Sequence, residues 1–259
     1  MNPSQDNRFQ DFFDDEKYIA LKNCLYNYLL RKRAVGKVME KEEKGLVLEV
    51  GSGISPILTS CDDVIFSDIS LSAMRMLKLT QGKGHYVVAD AACLPFRASV
   101  FSHVISSEVM EHLKDDRKAL REIFRVLKPK GSLVITFPHR RFYFGYDDRF
   151  VNHYRRYELD EMLHLLHDVN LDTVFIKKVL GPLEKVIMCT AIFFFSVFRR
   201  GQRKGSEQRS SKQLIILSPF FRWFNRICAV IVSMDAVIMP RALATVLLIK
   251  AAKKSESSE

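Results

Sequence analysis

Along the first half of the chain, hydrophobic and polar positions alternate between two periods. Short runs at residues 46–50, 64–67, 85–90, 101–107 and 132–137 read as buried strands. Between them, apolar positions recur three and four apart. Residues 119–127 place Leu120, Ile123, Phe124 and Leu127 on one helix face, and Pro129-Lys130-Gly131 is expected to stop that helix. Strand, helix, strand, helix at this spacing predicts a mostly parallel sheet with helices on both faces. Ahead of it, residues 16–35 carry Tyr18, Leu21, Leu25, Tyr28 and Leu29 at helical spacing, and the basic Arg31-Lys32-Arg33 is expected at a solvated helix end.

The strand ends carry the chemistry. The first runs into Gly51 and Gly53, where the backbone can take positive φ and approach a ligand closely. The second ends in Asp68 and the third in Asp90, and an acid at the second strand tip of a βαβ unit suits ribose hydroxyls. Either acid could instead cap a helix. A dinucleotide fingerprint, G-x-G-x-x-G, would need a third glycine where this chain has Pro56. Glu49, two residues before the turn, suits a cation better than a pyrophosphate. An adenosine ligand with a positive end, S-adenosyl-L-methionine, fits better than NAD.

In order and spacing, several pieces resemble the class I S-adenosylmethionine-dependent methyltransferases, in the group called methyltransferase type 11. They are Glu49-Val-Gly-Ser-Gly, Asp68-Ile-Ser, Asp90-Ala-Ala-Cys-Leu-Pro-Phe, Ser107-Glu-Val-Met-Glu-His-Leu, Glu122-Ile-Phe-Arg-Val-Leu-Lys-Pro-Lys-Gly-Ser-Leu and His153-Tyr-Arg-Arg-Tyr. The resemblance spans residues 44–180, with Ser55 where many relatives carry a glycine. It implies an α/β fold: a Rossmann-like, doubly wound, mostly parallel seven-stranded sheet with an antiparallel last strand beside the fifth. On that basis residues 171–179 and 243–251 are strands six and seven. It also implies that Glu49, Gly51 and Gly53, with Ser52 between the glycines, line the methionine end of the cofactor. Asp68 would hold the ribose, Ile69 would lie against the adenine, and Asp90, with Ala91 beside it, would accept from the adenine amino group. Ser107 and Glu108 would sit near the methyl group.

The expected organisation is a helical cap (1–43), the cofactor-binding domain (44–180 and 241–254), a helical insertion (181–240) and a disordered tail (255–259). Of the net charge of +10, residues 181–259 carry +8, with 13 Lys and Arg against 5 Asp and Glu. The first 180 residues are therefore nearly neutral, which argues against a nucleic-acid groove. Residues 186–198 are free of charge and are followed by basic residues from Arg199 to Lys212. A second apolar tract surrounds Trp223. Neither is long enough for a membrane span, but apolar helices with basic flanks suit an anionic membrane surface, contacted through 186–240. Ordinary packing onto the sheet is the competing account. Five cysteines without a C-x-x-C pair give neither a disulfide framework nor a zinc site, and no metal is expected. The polar N-terminus has no signal-peptide pattern, so a cytoplasmic location is expected, either free or peripheral to the membrane.

In-line methyl transfer needs chiefly positioning and exclusion of water. If the acceptor must lose a proton, His112, His139 and His153 are the candidate bases. His112 could equally brace the loop after strand four, and His153 could bind substrate or pin its loop. Residues 140–157 interleave aromatics with arginines and could stack a ring and clamp an anion. The resulting expectation is methyl transfer to a small-molecule or lipid-linked apolar acceptor. A nicotinamide-dependent reductase, or a non-catalytic cofactor-binding scaffold at a membrane, are the alternatives.

Overall fold

The computed structural model describes residues 23–59, 63–190 and 210–254. Its strands are β1 (Val47–Val50), β2 (Val64–Asp68), β3 (His85–Val88), β4 (Phe101–Ser107), β5 (Leu127–Pro138), β6 (Leu171–Leu180) and β7 (Val246–Lys253). They form one sheet in the order β3-β2-β1-β4-β5-β7-β6. β1 to β5 pair in parallel, and β7 lies antiparallel between β5 and β6. This is the expected Rossmann-like α/β sheet with its antiparallel last strand. The helices are α1 (Tyr26–Met39), α2 (Leu71–Gln81), α3 (Asp116–Val126), α4 (Tyr146–Phe150), α5 (Leu159–Asp168) and α6 (Ser210–Ile238), and residues 183–190 are also helical.

Both faces of the sheet are covered, which is why its central strands are apolar without alternation. On one face, Leu120 and Ile123 of α3 and Met162 and Leu166 of α5 pack on Leu133, Ile135, Leu247 and Ile249. On the other, Val35 and Val38 of α1 and Cys228 and Val232 of α6 pack on Ile105, Val134, Val246 and Leu248. Successive residues of β7 thus serve opposite cores, as the two-residue period of a strand requires.

The structure corrects several expected boundaries. α3 ends at Val126, and β5 begins at Leu127. Pro129 does not stop a helix. It sits in an irregularity of the β4–β5 ladder, where pairing passes from Phe101↔Leu127 to His103↔Ser132 and Lys130 takes φ 63°. A residue before proline is driven into extended backbone, so Lys128 continues a strand rather than a helix. β7 starts at Val246, not Leu243, because Arg241–Leu243 form a 3₁₀ turn after Pro240. The basic triplet is not at a helix end, since α1 continues to Met39 and carries it mid-helix. Expectations for residues 1–22, 191–209 and 255–259, including the basic run from Arg199 to Arg209, lie outside the described residues.

Candidate active site

The chain runs outward from β1 through β2 to β3 and then returns to place β4 on the other side of β1, so the strand order reverses beside β1. In open α/β sheets the crevice at the carboxyl ends of such strands receives ligands. Here it opens into a cavity of about 340 Å³. Its walls come from α1 (Tyr28, Arg31), the turn after β1 (Glu49 to Ser52, Ser55), the turn after β4 (Glu108, His112), α4 and its loop (Asp148, Phe150, His153) and the 183–190 helix (Glu184, Met188). The insertion after β6 therefore folds back over the strand ends.

The β1 turn is built for close approach. Gly51 has φ 67°, and a Cβ there would lie 2.4 Å from Cγ2 of Val109. Gly53 has φ 52°, and its N–H donates to Oδ2 of Asp68 at 2.9 Å. The other Asp68 oxygen accepts from the N–H of Ser70 at 2.9 Å. Asp68 does not cap α2: Ser70 does, its hydroxyl accepting from the N–H of Ala73. Asp68 thus ties the glycine turn to the β2 tip. Glu49 is buried, and its two oxygens accept from the N–H groups of Ile57 and Leu58 at 2.7 and 3.1 Å. Burial still raises its carboxyl to about 7. Glu49, Gly51, Ser52, Ser107 and Glu108 line the cavity. Gly53, Asp68, Ile69, Asp90 and Ala91 are not among its lining residues: Asp68 ends β2, whereas β3 ends at Val88 rather than at the expected Asp90, and the two strand ends are joined by the bond from the N–H of Ala89 to the Asp68 carbonyl. Asp90 is exposed and its Oδ1 accepts from the N–H of Ala92. Ala91 is buried, and Ile69 presents an exposed apolar side chain.

Facing this turn is a charged wall. Glu108 sits at φ 57°, a strained conformation for a non-glycine residue and one that clusters at functional sites. Its carboxylate accepts from the Thr136 hydroxyl at 3.2 Å and lies 3.5 Å from Arg31. Ser107 shares a 2.8 Å hydrogen bond with Thr136. Glu111 is wholly buried, and burial together with the Glu108 charge holds its carboxyl well above the usual carboxylate range. The ring of His112 meets that of His153 edge-on at 4.6 Å. His153 is far away in sequence but is sewn in place, because the N–H of Tyr154 donates to the Glu111 carbonyl at 2.8 Å. Nδ1 of His153 donates to Asp148 at 2.9 Å, which turns Nε2 towards Glu111 at 3.8 Å. Asp148 also binds Arg156 at 2.8 Å and Lys185 at 3.1 Å. Burial alone would raise its carboxyl, but the bonds from His153, Arg156 and the Gly145 N–H, with the Arg156 charge, hold it below the ordinary value.

His139 is placed differently. It is buried, Nδ1 donates to the Ala244 carbonyl at 2.9 Å, and burial lowers its pKa. It pins β5 to the start of β7 and is not among the residues lining the cavity. Of the three candidate imidazoles, the fold therefore brings His112 and His153 together and leaves His139 apart. Sequence reasoning missed Arg31, Ser55, Glu111, Asp148, Glu184 and Lys185. Only Glu111 had a local signal, as the acid beside His112.

The residues present fit S-adenosylmethionine. Ser52 and Ser55 are buried on the cavity wall, and their hydroxyls have no hydrogen-bond partner among the described residues. Both can donate to the amino-acid end of such a ligand. The space in front of Gly51 admits no larger residue, and the acids Glu49 and Glu108 suit a cationic group. When bound, the cofactor supplies an electrophilic methyl group on a sulfonium.

Residues 48–135 match the family described as Methyltransferase domain, the type 11 group. The chain is 31% identical over 110 residues to demethylmenaquinone methyltransferase of Renibacterium salmoninarum, covering 42% of this chain and 46% of that one. It is 33% identical over 122 residues to the chloroplastic tocopherol O-methyltransferase of Arabidopsis thaliana, covering 42% and 35%. The match thus spans less than half the length of these relatives. Among solved structures, phosphoethanolamine N-methyltransferase 2 of Haemonchus contortus, in complex with S-adenosyl-L-methionine, superposes with a TM-score of 0.57 at 18% identity, over 95% of this chain and 60% of that one. With the family match and the glycine turn together, residues 48–135 carry a class I S-adenosylmethionine-dependent methyltransferase domain, whose cofactor is S-adenosyl-L-methionine.

Proposed function

We propose that this protein transfers a methyl group from S-adenosylmethionine to an oxygen or carbon nucleophile on an apolar, ring-bearing small molecule. One observation carries the reading: a single cavity has the glycine turn on one wall and His112 and His153 on the other. A methyl donor seated on Glu49, Gly51, Ser52 and Gly53, with its nucleoside towards Asp68, Ile69, Asp90 and Ala91, would point its reactive end at Ser107, Glu108 and the two imidazoles. His139 would then be structural. Two further observations support the acceptor class. The names of the relatives point to quinone and tocopherol acceptors, and Phe142, Tyr146, Phe150 and Tyr154 are exposed on the loop that carries His153. Exposed aromatics beside a cavity suit a ring.

A membrane-borne acceptor is the finer version of this reading. On α6, Asn225, Cys228, Val232 and Ala236 are buried, while Trp223, Ile227, Val230, Met234 and Val237 form an exposed stripe at helical spacing. No helix among the described residues is long and apolar enough to cross a membrane, so this stripe would lie in the interface. Replacing Trp223, Ile227 and Val230 by serine should abolish co-sedimentation with anionic vesicles, and binding that survives would remove this part of the proposal.

Calorimetry with S-adenosylmethionine, S-adenosylhomocysteine and NADH tests the core. Binding of the first two with no heat from NADH is expected, and Asp68→Ala should weaken them at least about tenfold, by the loss of a charged hydrogen-bond acceptor. A panel of quinols and phenols, assayed for methylated product by mass spectrometry, tests the acceptor. Tight NADH binding without response to S-adenosylmethionine would overturn the reading.

A further inference from the structure

The wall opposite the glycine turn holds a group whose chemistry the transfer reaction does not use. Glu111 is fully buried, and neither of its carboxylate oxygens has a hydrogen-bond partner on any other described residue. Leaving a carboxylate unpaired in the interior costs several kcal/mol, so such groups are found paired, neutralised or bound to a cation. Arg31 does not serve Glu111, since its guanidinium is taken up by Glu108.

Beside Glu111 lie two imidazoles. One carboxylate oxygen of Glu111 and one ring nitrogen each of His112 and His153 lie within 4.8 Å of one another. Nδ1 of His153 is committed to Asp148, which leaves Nε2 as the atom facing the cluster. Metal-binding histidines usually donate their other N–H to a carboxylate or carbonyl, which fixes the ring and raises its basicity. Asp148 does this here, and is itself held by Arg156 and Lys185.

We propose that Glu111, His112 and His153 form a binding site for one divalent transition-metal ion on the wall of the cavity. Two imidazoles and one carboxylate favour zinc, cobalt, iron(II) or manganese over magnesium or calcium, which prefer all-oxygen sites. Three protein ligands leave at least one coordination position open, the pattern of a working rather than a structural site. Ligand atoms about 2.1 Å from an ion stand roughly 3.0 to 3.5 Å apart, so the cluster would contract by about 1 Å on binding. Rotation of side chains supplies that movement. His112 and His153 line the cavity, so an open position reached from it would take an oxygen of the acceptor. That last role rests on the methyltransferase reading, whereas binding of the ion does not.

The test uses untagged, chelator-treated full-length protein. Zinc titrated by calorimetry, and cobalt followed by its visible absorption, should each report one site. Glu111→Gln and His153→Gln should each weaken it about tenfold or more, while His164→Gln, an exposed imidazole on α5, should leave it unchanged. Pulsed electron paramagnetic resonance of the manganese-loaded wild type should show two imidazole nitrogens, a reading that needs no variant to fold. S-adenosylmethionine titrated into the metal-free protein keeps the two proposals separable. Cofactor binding without any ion site would overturn the metal proposal and leave the methyltransferase reading standing. Ion binding indifferent to both substitutions, or a loaded wild type without nitrogen couplings, would also overturn it.

Discussion

Replacing Gly51 by alanine tests the geometry of the cofactor turn, and its cost can be worked from two separate effects. At φ 67° an L-residue pays about 1 to 2 kcal/mol for left-handed backbone. The new Cβ would also stand 2.4 Å from Cγ2 and 3.1 Å from Cγ1 of Val109. Carbon atoms pack best about 3.5 to 4.0 Å apart, so one partner must move by about 1 Å, and overpacking on that scale costs about 1 to 3 kcal/mol. Gly51→Ala should therefore destabilise the fold by about 2 to 5 kcal/mol, the sum of those two ranges. Val109→Ala alone removes two carbons from a buried position and should cost about 1.5 kcal/mol. Once Val109 is shortened, however, the nearest remaining atom is its Cβ at 3.4 Å, which is close to ordinary contact. The double variant should then keep the backbone strain and lose the clash, ending about 1 to 3 kcal/mol more stable than additivity predicts. Urea denaturation of the four proteins, followed by circular dichroism, measures the coupling. Energies that add to within about 0.5 kcal/mol would refute the close approach.

Other consequences follow from the buried charges. Glu49 and Glu184 both have carboxyls raised to about 7 by burial. A carboxyl whose folded value lies above its unfolded value of 4.5 holds its proton more tightly in the native state, so stability should fall as pH rises from 4.5 towards 7. Each group contributes on the order of 3 kcal/mol to that fall. Chemical denaturation across this window should show the slope, Glu49→Gln should remove its share, and a flat profile would refute the assignment. Asp148→Asn would take one of two counter-charges from the buried Arg156 and Lys185, Asp147 being the other, and should cost about 1.5 to 3 kcal/mol, the worth of hydrogen bonds to charged groups; a change in urea midpoint worth under about 1 kcal/mol would show that the network relaxes freely. Ser70→Ala removes the α2 cap and should cost about 0.5 to 2 kcal/mol in the same assay.

The parts of the molecule legible in the sequence are those built from local pattern. The five parallel strands announce themselves because both faces of the sheet are covered, and the β1 turn because only glycine fits in front of Val109. Where expectation and structure part, a longer-range interaction decides. Periodicity carried the third helix to Leu127, but pairing with Phe101 draws that residue into β5. The basic triplet looked like a solvated end, yet Arg31 turns inward to Glu108 and Lys32 reaches the Pro56 carbonyl at 3.3 Å. His139 sits after strand five, where a ligand is expected, but Ala244, a hundred residues on, claims its Nδ1.

The two walls of the cavity differ in the same way. The glycine-turn side is continuous in sequence from Glu49 to Ser55, so its glycines and acid stand together in the sequence as they do in the fold. The opposite side is assembled from Arg31, Glu108 to His112, Asp148 to Arg156, and Glu184 and Lys185, four segments that meet only because α1, the β5–α5 loop and the β6–β7 insertion all fold back over the same strand ends. None of these segments is distinctive alone, and their ionisable groups acquire their character only together. Asp148 is driven below its ordinary value by His153 and Arg156, 5 and 8 residues away, whereas Glu111, beside His112, is raised by burial. Opposite shifts in neighbouring carboxyls mark a site in which the environment, not residue type, assigns the roles. On the proposed methyltransferase reading, altering the insertion or the aromatic loop should change acceptor choice while leaving S-adenosylmethionine binding at the glycine turn intact.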